Sequence, residues 1–151
     1  MEFSPVQSVS SDLPFFAELT LGNAHAVALC RVLGSWFKLL DEQIGQMGAK
    51  AAGTSAEDII RINLEAFATF AQNPFWQEHK KALLPLVIQA ANAYADSLSW
   101  AKRENFRDRA TAQILRTQYQ EVFWHVAKLC GGYEHMVAMT QKYRRFDYVQ
   151  Y

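Results

Sequence analysis

The apolar residues of this chain recur at intervals of three and four almost from end to end. From about Leu19 onward, Leu29, Leu33, Trp36, Leu40, Ile44 and Met47 follow that spacing, which places them on one face of an α-helix. Val32, Phe37 and Leu39 widen the face, as for a helix packed on more than one neighbour. Gly45, Gly48 and Gly53 then interrupt the pattern, and the stretch 48–53 reads as a loop. Thr54 or Ser55 can cap the next helix, with Glu57 or Asp58 three residues on. That second helix draws its apolar face from Ile60, Leu64, Phe67 and Ala71.

Asn73-Pro74 marks the sharpest boundary. Asn is a favoured helix N-cap, and Pro suits the first helical position because its missing N–H would be unpaired there. The helix that starts here carries Trp76, Leu83, Val87, Ala91, Tyr94 and Leu98 on one face, and Pro85 inside it predicts a kink near 81–85. A break at 102–105, with Asn105 as a second N-cap, leads into a helix using Ala112, Leu115, Tyr119, Val122, Val126 and Leu129. Gly131-Gly132 ends it, and a short helix from Tyr133 to about Lys142 follows. No segment alternates with the two-residue period of a half-buried strand. The pattern therefore predicts an all-α, up-and-down bundle of four long helices plus a short C-terminal one, in a single domain over 1–151. Residues 1–12 read as a flexible arm and 143–151 as an aromatic and basic tail.

Composition changes this picture only by exclusion. Half of the 151 residues are apolar and a fifth are charged, which excludes a disordered chain. Two cysteines exclude a disulfide scaffold, and Cys30 and Cys130 fall within helical stretches, as buried free thiols in a reducing compartment would. No stretch resembles a secretory signal or is apolar enough to span a membrane, which implies a cytoplasmic protein. Formal net charge is zero, but it is unevenly placed. Residues 1–60 hold three bases against seven acids, and 61–151 hold twelve bases against eight acids. The two halves can attract each other within one molecule or between copies.

Candidate chemistry is sparse. Glu121 and His125 lie one helical turn apart, and Glu134 and His135 follow the Gly-Gly turn, so Glu121, His125 and His135 could hold Zn or Fe. The spacing is Glu-x-x-x-His, occurring once, and not the doubled Glu-x-x-His of di-iron bundles. His79 follows Phe75 by one turn and would need Asp96 or Glu65 as a catalytic partner. Gly45-Gln46-Met47-Gly48 lacks the flanking strand and the Lys-Ser/Thr of a phosphate loop. Arg103, Arg107, Arg109 and Arg116 form a basic stretch suited to phosphate, and with the aromatic tail they suggest a nucleic-acid accessory role. Zero net charge argues against that reading. The tail itself, with Tyr143, Arg144, Arg145, Phe146, Tyr148 and Tyr151, carries the residue types enriched at interface hot spots. The function expected from the sequence is thus binding, to a second copy or to another protein, with no catalytic motif. A metal or small-ligand site within the bundle is the alternative.

Overall fold

The computed structural model describes residues 14–45 and 55–144. The described chain is all helical. A short helical stretch over residues 14–19 precedes five longer helices: α1 (Ala24–Gly45), α2 (Ala56–Gln72), α3 (Pro74–Ala101), α4 (Phe106–Arg116) and α5 (Gln120–Tyr143). The sequence-predicted arm (1–12) lies outside the described residues, as do Met47, Thr54 and most of the aromatic tail.

The helix starts follow local chemistry. Each first turn has unpaired N–H groups that a short polar side chain can satisfy. Asn23 Oδ1 accepts from Ala26 N–H at 3.0 Å, Ser55 Oγ from Asp58 N–H at 3.1 Å and Asn105 Oδ1 from Asp108 N–H at 2.8 Å. Asn73 does more. Its Oδ1 accepts from Trp76 N–H at 2.9 Å, its backbone N–H donates to Thr69 at the end of α2, and its Nδ2 donates to the His25 carbonyl at 2.9 Å. One buried side chain therefore ties the α2–α3 corner to the start of α1.

Packing centres on α1, α3 and α5. Leu29, Leu33 and Phe37 of α1 meet Leu83, Val87, Ala90 and Tyr94 of α3, and Val122, Phe123, Val126 and Ala127 of α5. The α3 positions are spaced four, three and four, so one stripe runs down the middle of the bundle. Pro85 sits inside α3, and both it and Lys81 are exposed. The carbonyl that Pro85 leaves without an N–H partner thus lies on the solvent side, where water can satisfy it. Helix α4 folds back along α3 and buries Ala112 fully.

The periodic stretch from 105 to 129 is two helices and not one. Residues 117–119 form a tightened turn, in which Thr117, Gln118 and Gln120 N–H groups bond three residues back to Ile114, Leu115 and Thr117. A three-residue tight turn leaves the spacing of Leu115, Tyr119 and Val122 unchanged, and neither Gly nor Pro marks it. The second break, at Gly132, is where the sequence places it: φ is 86° and ψ 179° there, a conformation L side chains rarely adopt. At Gly131 the His135 ring lies so close that a Cβ would stand 2.5 Å from its Cδ2.

The leading helical stretch closes with a Schellman turn. Gly22 N–H bonds the Ala17 carbonyl at 2.9 Å, and Leu21 N–H bonds Glu18, with Leu21 itself at φ 52°. The second half of α5 clamps this stretch. His135 Nε2–H donates to the Leu19 carbonyl at 2.9 Å, Lys142 pairs with Glu18 at 2.7 Å, and the Tyr143 hydroxyl donates to the same carboxylate. The Lys142 and Tyr143 hydrogen bonds hold the Glu18 carboxyl below its ordinary range. Arg116 reaches Asp41 Oδ1 through Nε and Nη2 at 3.0 and 2.7 Å. Both ion pairs join the acidic half of the chain to the basic half within one molecule.

Candidate functional site

Helix α2 presents an apolar stripe to solvent. Ile60 is 59% exposed, Leu64 63% and Phe67 67%, and Ala71 continues the row. These are the residues from which the sequence pattern builds the inward face of the helix, and the structure corrects that. The inward face is instead Ile59, Ile62, Ala66 and Phe70. At 100° per residue the two stripes lie roughly 130° apart around the helix. Three contacts set the rotation. Ala66 is buried at the contact with the bundle, Trp36 Nε1 donates to Asn63 Oδ1 at 3.3 Å, and the Phe70 ring lies 4.5 Å from that of Trp76. Both stripes have helical spacing, so spacing alone could not choose between them.

The outward stripe runs about 16 Å along the helix. One flank carries Glu57, Arg61 and Glu65, all exposed. Arg61 approaches Asp58 at 3.8 Å, with the two side chains 75% and 51% exposed. A pair that long and that wet contributes little and leaves the guanidinium open to a better partner. Elsewhere among the described residues the exposed large apolar side chains come in ones and twos: Leu84 and Ile88 on α3, Phe106 and Ile114 on α4, Tyr133 on α5 and Leu21 in the first turn. Scattered singles are ordinary on a protein surface, whereas a contiguous stripe marks a contact.

The residues that the sequence groups as a metal site have other partners in the structure. Glu121 is exposed and accepts from Arg144 Nη2 at 2.8 Å. His135 is committed to the Leu19 carbonyl, and Glu134 is exposed. His125 is half-buried. Burial, and then the charge of Lys128, hold its imidazole below the ordinary histidine range. Among the described residues no three His, Cys, Asp or Glu side chains are gathered in a metal-binding arrangement. His79 packs on the Phe75 ring, centroids 4.5 Å apart, and lies 3.8 Å from Glu78, while Asp96 accepts from Asn92 at 3.4 Å.

The basic stretch is likewise divided. Arg103 stacks over Trp100 at 4.0 Å and lies 3.7 Å from Asp108, and Arg116 is held by Asp41. Arg107 and Arg109 are exposed. Of the tail anchors, Tyr143 is half-buried against Phe15, and Arg144 bonds Glu121 and lies 5.9 Å from the Trp124 ring. Both are therefore engaged within the chain. Arg145, Phe146, Tyr148 and Tyr151 lie outside the described residues.

Neither thiol is placed as a nucleophile. Cys30 is fully buried in the core, which pushes its thiol far above the ordinary range, and burial raises Cys130 as well. A thiol reagent added to the native chain is expected to modify Cys130 alone, with Cys30 reacting only after denaturant. Two equivalents consumed at equal rates in the native state would contradict the buried position of Cys30. No helix among the described residues is long and apolar enough to cross a membrane. No protein-family model, curated protein or solved structure matches the chain.

Proposed function

We propose that this protein acts by self-association, two copies docking the outward faces of α2 against each other. The observation that carries this reading is the stripe of Ile60, Leu64 and Phe67, each more than half exposed on one helix. A second copy is the occupant favoured by charge. In an antiparallel helix pair, a twofold axis midway between residues 63 and 64 sets Ile60 opposite Phe67 and leaves Leu64 within about one residue, roughly 1.5 Å, of its own mate. The same axis brings Arg61 within about one residue, roughly 1.5 Å along the helix, of the position opposite Glu65, twice. Apolar and charged residues thus agree on one isologous arrangement, which is what a closed dimer requires.

The energetics fit a dimer of modest affinity. Fully burying such a side chain is worth about 1.5–3 kcal/mol relative to leaving it exposed. These are already partly covered, and two copies supply six. The gain is of the order of the roughly 4–15 kcal/mol that association costs, so the pairing is weak and belongs at high protein concentration. The free thiols Cys30 and Cys130 support a reducing compartment, the cytoplasm, as its location.

Sedimentation over a concentration series extending to the millimolar range tests the reading. The full chain is expected to pass to twice its monomer mass. Leu64→Glu is expected to stay monomeric with unchanged helical circular dichroism, because Leu64 is 63% exposed in the single chain. A wild-type chain that stays monomeric throughout, or a Leu64→Glu variant that still dimerises, would overturn it.

A further inference from the structure

A cleft of about 530 Å³ opens between α1 and α2. That volume falls within the range of small-molecule sites. Its polar lining has the same spacing on both walls. Arg31, Ser35 and Lys38 follow one another at four and three on α1, and Glu65, Thr69 and Gln72 do so on α2. Each set is therefore one helix face. Much of the remaining lining is apolar and short. Val32, Gly34 and Ala68 leave the space open, and the Phe16 ring lies against the α1 backbone at Gly34, where a Cβ would stand 3.3 Å from Cζ.

Two cross-links fix the register of the walls. Asn73 bonds the His25 carbonyl at one end, and Trp36 bonds Asn63 at the other. The helices are thus antiparallel, with Arg31 level with Ala68 and Thr69, and Glu65 about a turn further along, level with Gly34. Arg31 is exposed, and its guanidinium has no hydrogen bond or ion pair among the described residues. By contrast Arg103, Arg116 and Arg144 each face a carboxylate. A guanidinium presents its donors as a planar fork that matches a carboxylate. The hydroxyls of Ser35 and Thr69, both half-buried, add donors on either wall. Arg31 and Lys38 against Glu65 leave the cleft with a single positive charge in excess. That balance suits a monoanion, since a second negative charge would meet Glu65.

We propose that this cleft binds a small carboxylate carrying an apolar body. The carboxylate takes the Arg31 fork and the Thr69 hydroxyl, and the body lies over Val32, Ala68 and the Phe16 ring. Charge fixes the orientation, and the short apolar side chains give the body its room.

The test titrates octanoate into the full chain by calorimetry, with acetate as the same anion without the body. One octanoate per chain is expected, bound at least about tenfold more tightly than acetate. Arg31→Gln keeps a long polar side chain and removes the charge. It should weaken octanoate about tenfold and leave the melting temperature unchanged, because Arg31 is exposed. Arg107→Gln, at an exposed arginine on α4, should bind as the wild type does. Ala68→Phe fills the cleft from an exposed position and should weaken octanoate by at least about as much as Arg31→Gln. Leu64→Glu should bind as the wild type does, so that failure of the α2 pairing and failure of this site are told apart. Octanoate bound no more tightly than acetate would leave an adventitious ion only and would overturn the proposal. Equal affinity of the wild type and either Arg31→Gln or Ala68→Phe would do the same, as would a matching loss in Arg107→Gln or in Leu64→Glu.

Discussion

Phe37→Ala is expected to cost the fold about 3–5 kcal/mol, the range for truncating a buried aromatic. Phe37 is 1% exposed. Its ring touches those of Trp36, Tyr94, Tyr119 and Phe123, with centroids 5.4–6.4 Å apart. Those partners come from α1, α3, the 117–119 turn and α5, so the truncation opens a cavity where the central helices meet. No single element can shift to fill it without losing its contact with the others. For a domain of this length, 1 kcal/mol moves the melting temperature by about 2–4 °C, so the midpoint should fall by roughly 6–20 °C in a thermal melt. Phe67→Ala is the control. The same deletion on a side chain 67% exposed in the monomer should move the midpoint of a dilute sample by no more than a degree or two. If Phe67→Ala proves the more costly of the two, the Phe67 face of α2 and not its Ala66 face packs on the bundle.

The two phenylalanines show what could and could not be read from the chain. Each sits on a run of apolar residues at helical spacing, and nothing local separates them. Phe37 faces inward because α3 and α5 pass on its side. Phe67 faces outward because the Trp36–Asn63 hydrogen bond and buried Ala66 set the rotation of α2. Those are long-range contacts, and the sequence names neither partner. Local chemistry was more informative. Ser55, Asn73 and Asn105 each cap the helix that the sequence assigns to them, and Gly132 breaks α5 where the Gly-Gly pair predicts. Caps and left-handed glycines act through neighbours a few residues away, so their effect is visible in the primary structure. The break at 117–119 was not visible, since a tightened turn conserves the apolar spacing on either side. The cleft between α1 and α2 was hidden for a related reason. Arg31 and Thr69 lie on separate helices, and only tertiary packing brings them to one cleft. Glu121, His135 and Arg116 each have a partner from a distant segment, Arg144, the Leu19 carbonyl and Asp41, which spacing along the chain does not show.

Arg61→Glu is expected to weaken self-association by about five- to several-hundredfold, as is Glu65→Arg, while the double exchange should recover most of the loss. The twofold arrangement puts each Arg61 near the partner copy's Glu65, so a single reversal turns two attractions into two repulsions at once. An exposed ion pair is worth about 0.2–1 kcal/mol. Replacing two such pairs by two like-charge contacts therefore shifts the dimer by roughly 1–4 kcal/mol, and each 1.4 kcal/mol is tenfold in the dissociation constant. Recovery should be incomplete. Within the helix, Glu57 lies four residues before position 61, and an i,i+4 like-charge pair costs a few tenths of a kcal/mol. Arg61 also gives up its long contact with Asp58. Sedimentation at two salt concentrations separates this mechanism from simple loss of apolar contact. The gap between the single and double variants should shrink as salt screens the charges, whereas the Leu64→Glu defect should persist. Two single reversals that leave the dimer intact would remove the antiparallel register. If both weaken it and the double variant is no better than either, the partner of α2 is something other than a second α2.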